Sequence, residues 1–372
     1  MPSKSLTNGL TGLRRQAQKS LLSPIAKPIV DRLPNSLYLD YIPQLSVALT
    51  RICNANCTFC SYQFLEKEYR KHMKDDIFEK VVEGLTKYKI QDVHLSPNLG
   101  EPTLIPNFLD YIRAMRSAGV AHFEVTTNGT WLHKVGVEDY LEDGPEQTNF
   151  SFPGFSEEIY ERVYRTKHYK QTRENILTLL RLNRKREHPK VVNLWLRGDI
   201  SMEEQLAMPD MAEAKELVTE LCTMTEIDTW NGKISQDMLT GNMRIQSEFP
   251  EIQKRPCQLL NEITVYPDGT LHGCSCRNTD YDPDLYLGNI MEDDLMVAYQ
   301  RLNPIFDRWK KGQFPQICQS CRMYSDPADG ILGHMRKRLT RRRNTTPQPS
   351  QEEADLQEAA RTQAAHWPLA EK

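Results

Sequence analysis

From about residue 44 the chain alternates short apolar runs with amphipathic stretches, a rhythm that predicts strand followed by helix, repeated. Ser46-Val47-Ala48-Leu49-Thr50 reads as a buried first strand. Ile77, Val81, Val82, Leu85 and Tyr88 then keep helical spacing behind Asp76-Ile77-Phe78-Glu79, a capping-box pattern with Asp76 at the N-cap. Asp92–Ser96, Phe123–Thr127 and Phe150–Phe152 predict further strands, with a helix over Phe108–Ala118. Helices are expected over Glu157–Val163, Gln171–Leu182 and Pro209–Leu221, the last with proline in its first turn, where its missing N–H costs nothing. Val191–Arg197 and Ile227–Trp230 supply the fifth and sixth strands. Strands alternating with helices of this length form parallel βαβ units, and six such units predict an α/β chain built as a (β/α)6 partial barrel.

Past residue 236 the rhythm stops. Ile263–Tyr266 and Thr270–His272 flank Pro267-Asp268-Gly269, a hairpin signal. The predicted organisation is an N-terminal extension (1–43), an α/β core (44–235), a small α+β domain (236–335) and a basic tail (336–372). Pro24, Pro28 and Pro34 break the extension, leaving room for one short amphipathic helix near Leu13–Leu22. The tail opens with Arg336-Lys337-Arg338-Leu339-Thr340-Arg341-Arg342-Arg343, read as a solvated helix end leading into a disordered segment.

Composition narrows the class. Hydrophobic residues make up 39% of the 372 and charged ones 26%, as in a globular protein. A net charge of −3 offers no overall footprint for nucleic acid, and no apolar run is long enough for a membrane span. The cysteines cluster at metal-type spacings, unlike a disulfide framework, and no secretory signal is visible, so a reducing cytoplasm is expected.

The chemistry concentrates in Cys53-Asn54-Ala55-Asn56-Cys57-Thr58-Phe59-Cys60. Three thiolates at this spacing hold three corners of an iron–sulfur cube from one loop and leave the fourth iron for an exogenous ligand, whereas most electron-transfer clusters have four cysteines. A zinc or redox-active cysteine cluster is the alternative. The loop directly follows the first predicted strand, and Gly100-Glu101, Asn128 and Ser151 fall after the next three, at the strand ends where parallel sheets carry their chemistry.

The run resembles the Cys-x3-Cys-x2-Cys signature of the radical S-adenosylmethionine (SAM) superfamily. That resemblance implies a 4Fe–4S cluster on Cys53, Cys57 and Cys60 that chelates SAM and cleaves it to a 5′-deoxyadenosyl radical, which abstracts hydrogen from substrate. It places Phe59 against the adenine. Asn98-Leu99-Gly100-Glu101-Pro102 resembles the family's Gly-Gly-Glu-Pro segment, which binds the methionine amino group through backbone carbonyls and the Glu, with Leu99 in place of the first Gly. Thr126-Thr127-Asn128-Gly129 matches the strand ending near the SAM ribose, and Ser151 the serine that bonds ribose or carboxylate, although Ser151-Phe152-Pro153-Gly154 lacks the family's Asp. Arg165 and Arg197 are candidates for the SAM carboxylate, because a guanidinium fork matches it; each is equally a candidate structural ion pair.

A second group, Cys257, Cys274 and Cys318-x2-Cys321, resembles the SPASM/twitch auxiliary domain in its one-cluster form. It implies one auxiliary 4Fe–4S cluster on those four cysteines, with a four-cysteine zinc site as the alternative. Cys276 is left over, either as a substitute ligand or as a thiol that donates hydrogen to a substrate radical; Cys222 is the rival donor, or simply a small buried hydrophobe. The expected protein is an oxidoreductase or epimerase of a small polar, sugar- or cyclitol-like metabolite, reduced by flavodoxin or ferredoxin. A maturase acting on a precursor peptide is the alternative, and a non-catalytic metal-binding interaction protein a third.

Overall fold

The computed structural model describes residues 42–96, 98–247, 256–277 and 281–325. The expected N-terminal helix and the basic tail lie outside the described residues.

Strand β1 (Leu45–Val47) is fully buried, as an uninterrupted apolar run inside a parallel sheet should be. Helix α1 (Asp75–Tyr88) follows the cysteine loop. The capping box does not form: the N-cap is Lys74 with no side-chain bond, and Asp76 Oδ1 instead accepts from the next N–H, that of Ile77, at 2.9 Å. The helix begins two residues early, so Asp75 and Asp76 both sit in its first turn, where negative charge suits the helix dipole. Then come β2 (Asp92–His94), α2 (Phe108–Ser117), β3 (His122–Thr127), β4 (Gln147–Phe152), α3 (Glu157–Tyr164), α4 (Tyr169–Arg184), β5 (Val191–Leu196), α5 (Pro209–Leu217) and β6 (Glu220–Thr223).

The sixth strand is therefore not Ile227–Trp230. Helix α5 ends at Leu217, and Glu220–Thr223 pairs in parallel with β5. Asp228 accepts from the Trp230 N–H at 2.7 Å and turns the chain, and Trp230, Asn231 and Gly232 all have positive φ, so no extended strand continues there. Glu226–Ile227 (β7) pairs only with Arg244–Ile245 (β8) in a separate ribbon.

Strands β1 to β6 lie in chain order, all parallel. With no reversal of order, every right-handed crossover puts its helix on the same face, unlike a doubly wound sheet. The predicted hairpin is present as β9 (Ile263–Val265) and β10 (Thr270–Gly273), extended by β11 (Tyr286–Asn289). It does not stand apart: β9 pairs in parallel with β1, so one nine-stranded sheet runs β11-β10-β9-β1-β2-β3-β4-β5-β6. One contiguous core contains Leu45 and Val125 together with Leu302 and Trp309 of helix α6 (Leu302–Lys310).

Arg51, just past β1, clasps this junction. It is 1% exposed, and its guanidinium lies 5.2 Å from the Tyr266 ring centre and 4.8 Å from that of Tyr281. Cation–π contacts of this kind strengthen where water is excluded.

Candidate functional site

The loop after β1 is held from both sides. The Cys53 N–H donates to the Tyr62 hydroxyl at 3.0 Å, and the Cys60 N–H to the Cys57 carbonyl at 3.2 Å. The Asn56 and Thr58 N–H groups donate to the carbonyls of Tyr164 and Val163 at the end of α3. Three half-buried, unbridged thiols result. Burial, then neighbouring Glu101, pushes Cys53 up to about 12. Burial raises Cys57 as well, and the Cys60 and Cys53 sulfurs add to it. Thiols that raise one another in this way become thiolates when a cationic centre binds among them.

The ends of β2 and β3 lock onto this loop. Gly100 has φ +117°, and a Cβ there would lie 2.4 Å from the Thr50 carbonyl oxygen, so only glycine fits. Leu99 takes a negative φ and packs in a small cluster with Tyr62 and Leu65, which explains why the first glycine of the family segment is dispensable here. Glu101 is 2% exposed and accepts four hydrogen bonds: from Thr103 N–H (3.2 Å), Thr103 hydroxyl (2.6 Å), Thr127 hydroxyl (2.6 Å) and Asn128 N–H (2.7 Å). Burial raises its pKa and these donors oppose the rise. Asn128 also donates from its side chain to Asn54 Oδ1 at 2.8 Å, tying β3 to the cysteine loop.

The two candidate arginines separate. Arg197, after β5, lies 5.4 Å from the Phe59 ring centre and within electrostatic reach of Cys57 and Cys60; burial lowers its pKa, and Tyr164 and those thiols oppose the shift. Arg165 is exposed, bonds Gln63 at 3.2 Å, and with Cys53 and Asn54 lines an open hollow of about 370 Å³. Phe59 is buried, its ring centre 6.2 Å from that of Tyr164. Ser151 Oγ accepts from the Tyr164 hydroxyl at 2.9 Å. Ser151, Trp195 and Cys222 are register neighbours across β4, β5 and β6, so Cys222 shares a face with Ser151 and is only partly buried.

Sequence reasoning missed the composition of that face. On β3, Phe123, Val125 and Thr127 are buried, and the alternate His122, Glu124 and Thr126 are not. The second set shares its face with Ser46, His94, Asn149 and Asn193: Ser46, His94 and Glu124 are register neighbours, and one step further along the strands Thr126, Asn149 and Asn193 are. Asn149 donates to Glu124 at 2.9 Å and accepts from Asn193 at 2.8 Å. Among the described residues, Ser46 Oγ, His94 Nε2 and Asn193 Oδ1 are buried without a hydrogen-bond partner. The period-two alternation of His-Phe-Glu-Val-Thr-Thr and Gln-Thr-Asn-Phe-Ser-Phe was the available signal.

The second cysteine group also comes together. Cys257 lies within electrostatic reach of Cys274 and Cys321, and Cys318 of Cys274, Cys321 and Cys257; burial foremost pushes Cys257 up to about 12 and Cys321 to about 11. Cys274 follows β10 in a left-handed conformation, φ +70°, uncommon for any residue but Gly, Asn or Asp. Cys276 reaches Cys274 and Cys321, and its sulfur accepts from Arg277 Nη1 at 3.4 Å. Among the described residues, no three Cys, His, Asp or Glu side chains are set around one point as the ligands of a single ion would be. Each group nevertheless brings several half-buried or buried sulfurs within mutual electrostatic reach, a donor set whose chemistry fits an iron–sulfur cluster.

Residues 47–208 match the model of the radical SAM superfamily. Among curated proteins, the chain is 25% identical over 234 residues to the probable GTP 3′,8-cyclase of Thermoplasma volcanium, covering 62% of this chain and 68% of that one. It is 21% identical to the probable GTP 3′,8-cyclase of Methanothermobacter marburgensis, covering 70% and 95%. In fold it resembles Streptococcus suis SuiB bound to the precursor peptide SuiA, with 13% identity, 89% of this chain and 81% of that chain covered, and a TM-score of 0.54.

Proposed function

We propose that this chain, a radical SAM enzyme carrying its radical SAM domain over residues 47–208, acts on a small polar, sugar-bearing metabolite, with the second cysteine group holding an auxiliary 4Fe–4S cluster. The observation that carries this reading is the polar face of the sheet: Ser46, His94, Glu124, Asn149 and Asn193 line it with hydrogen-bonding groups, three of which have an atom without a partner among the described residues. Buried polar atoms are normally partnered, so such a face suits a ligand rich in hydroxyl or amide groups. The relatives named GTP 3′,8-cyclase support it, since GTP is itself a sugar-bearing metabolite.

Cys53, Cys57 and Cys60 would hold the SAM-binding cluster, which when bound supplies the one-electron cleavage that yields a hydrogen-abstracting radical. Arg197 faces those sulfurs and is the arginine placed to pair the SAM carboxylate; Phe59 presents an apolar ring beside it. Glu101 is a positioning residue, because its buried carboxylate accepts four protein donors, three on Oε1 and one on Oε2. It holds the Asn128 backbone, and so the turn after β3, against the cysteine loop. Cys257, Cys274, Cys318 and Cys321 form the mutually close set for the auxiliary cluster. Cys276 and Cys222 remain the two candidate hydrogen-donor thiols, Cys276 beside Arg277 and Cys222 on the polar face.

A peptide substrate is the second reading, favoured by the fold likeness to SuiB with its precursor peptide. Incubating the reduced enzyme and SAM with deuterated sugar pools or deuterated peptide pools separates the two. Deuterium entering 5′-deoxyadenosine from the sugars supports the metabolite reading. Transfer from the peptides alone overturns it in favour of maturation.

A further inference from the structure

Along β5 the residues alternate in kind. Val192, Leu194 and Leu196 are buried in the apolar core, so Asn193, Trp195 and Arg197 stand on the other face, about 7 Å from one to the next. Arg197 ends this series beside the Phe59 ring, at the cysteine loop. Asn193 begins it, donating to Asn149. Trp195 lies between them. Its register neighbours are Ser151 on β4 and Cys222 on β6, each about 5 Å away across the sheet.

Trp195 is unlike the other described tryptophans. Trp131 has the His133 ring beside it, Trp230 the Arg277 guanidinium and the Phe59 carbonyl, and Trp309 the Phe314 ring. Trp195 is half-buried and stands outside the apolar core; among the described residues its indole has no hydrogen bond, ring stack or cation contact. An indole offers a large apolar surface and one N–H donor, and a protein normally uses both when it covers the ring. Here neither is in use, near the end of a strand whose last residue on that face is Arg197. A few polar groups converging around an apolar wall are the makings of a small-molecule site.

We propose that Trp195 is a substrate platform, on which a six-membered hydroxylated ring, a pyranose or cyclitol, lies with its C–H face against the indole. This rests on the proposed reading that the substrate is a small sugar-like metabolite. The face of an aromatic ring is the negative side of its quadrupole and attracts the weakly positive C–H bonds on one side of a saturated ring. Hydroxyls at the rim of such a ring both donate and accept. The groups around Trp195 do the same: the Ser151 hydroxyl and the Asn149 and Asn193 amides each offer both functions. A ring seated there has Cys222 on one flank and Ser151 on the other.

Saturation-transfer NMR on the full-length protein, reconstituted without oxygen and holding SAM, reads this without turnover. The probes are a mixture of D-glucose, D-glucosamine and myo-inositol and, separately, guanosine. Wild type should pass saturation to ring C–H protons of the mixture. In Trp195→Ala the apparent Kd of the components that bind should rise about fivefold, and in Trp195→Phe, which keeps an aromatic face, it should stay within about twofold. If Trp195→Ala does not retain iron, Trp195→Leu, apolar but without an aromatic face, takes its place. Unchanged affinity in the Ala or Leu variant, or no saturation of the mixture by wild type, overturns the platform. Transfer to guanosine alone makes it a platform for a planar base and overturns the hydroxylated-ring class. If deuterated sugars still label 5′-deoxyadenosine in wild type, the proposed function survives these failures; label from peptides alone removes both.

Discussion

The backbone N–H of Asn128 donates to Glu101 Oε2 at 2.7 Å while the Asn128 side chain donates to Asn54 at 2.8 Å, so one residue joins the ends of two neighbouring strands to the cysteine loop. Replacing Glu101 by Gln leaves one acceptor oxygen where four donors converge and turns an amide NH2 toward some of them. Leaving buried donors unsatisfied costs about 1–3 kcal/mol. Chemical denaturation of Glu101→Gln should show a loss of that size, and calorimetry should show weaker SAM binding. Unchanged values in both would remove Glu101 from its positioning role.

Gly100→Ala tests the close approach of β2's end to β1. The new Cβ meets the Thr50 carbonyl oxygen at 2.4 Å with φ at +117°, so backbone must move beside Cys53. A strained, clashing site of this kind costs about 1–3 kcal/mol or more. A lower melting temperature and reduced iron retention are expected; a protein that keeps wild-type iron and stability would contradict the geometry.

Asp294 carries the acid sensitivity of the join between α1 and the C-terminal region. Its carboxyl is partly desolvated, which opposes ionisation, but bonds from Lys87 and Tyr88 (2.6 and 2.5 Å) and from the Met296 and Val297 N–H groups hold it down at about 2. A depressed carboxylate stabilises the fold above its unfolded value of 3.8 and loses that contribution as pH falls toward 2. Allowing for solvent screening, the loss is about 1–2 kcal/mol. Stability measured from pH 5 to 2 should fall less steeply in Asp294→Asn than in wild type; parallel curves would assign the acid sensitivity elsewhere.

Iron and sulfide counts test the two cysteine groups together. Wild-type protein reconstituted without oxygen should carry about eight irons, and the Cys53/Cys57/Cys60→Ala protein about four. About four irons falling to none, with zinc retained, would make the second group a zinc site.

The donor thiol is decided by product. If Cys276 donates the hydrogen atom, Cys276→Ala still forms 5′-deoxyadenosine but yields no epimerised product, and Cys222→Ala yields both. The opposite pattern would move the role to Cys222 on β6.

The strand–helix rhythm was legible because its signals are local: β-branched runs, helical spacing and turn residues lie within a dozen positions of one another. The cysteine loop was legible for the same reason. What escaped depended on distant partners. Trp230 looked like part of a strand, yet the Asp228 side chain, Phe59 carbonyl and Arg277 guanidinium hold it in a turn. Arg197 and Arg165 were indistinguishable as residues and differ only in what the fold puts beside them. Arg277 carried no motif at all. The polar face was written in the alternation of β3 and β4, but only the sheet order and register show that those positions share one face across five strands.

The pairing of β9 with β1 bears on how the protein is made. Leu45 meets Ile263 across that edge, so β1 emerges from the ribosome more than two hundred residues before its partner exists. Contacts this far apart in sequence form late. Throughout most of synthesis the strand leading into Cys53 therefore has one unpaired edge, and the Arg51 clasp lacks Tyr266 and Tyr281. The cysteine loop therefore gains this support only once residue 281 has been made, and a chain cut short of it lacks the clasp altogether.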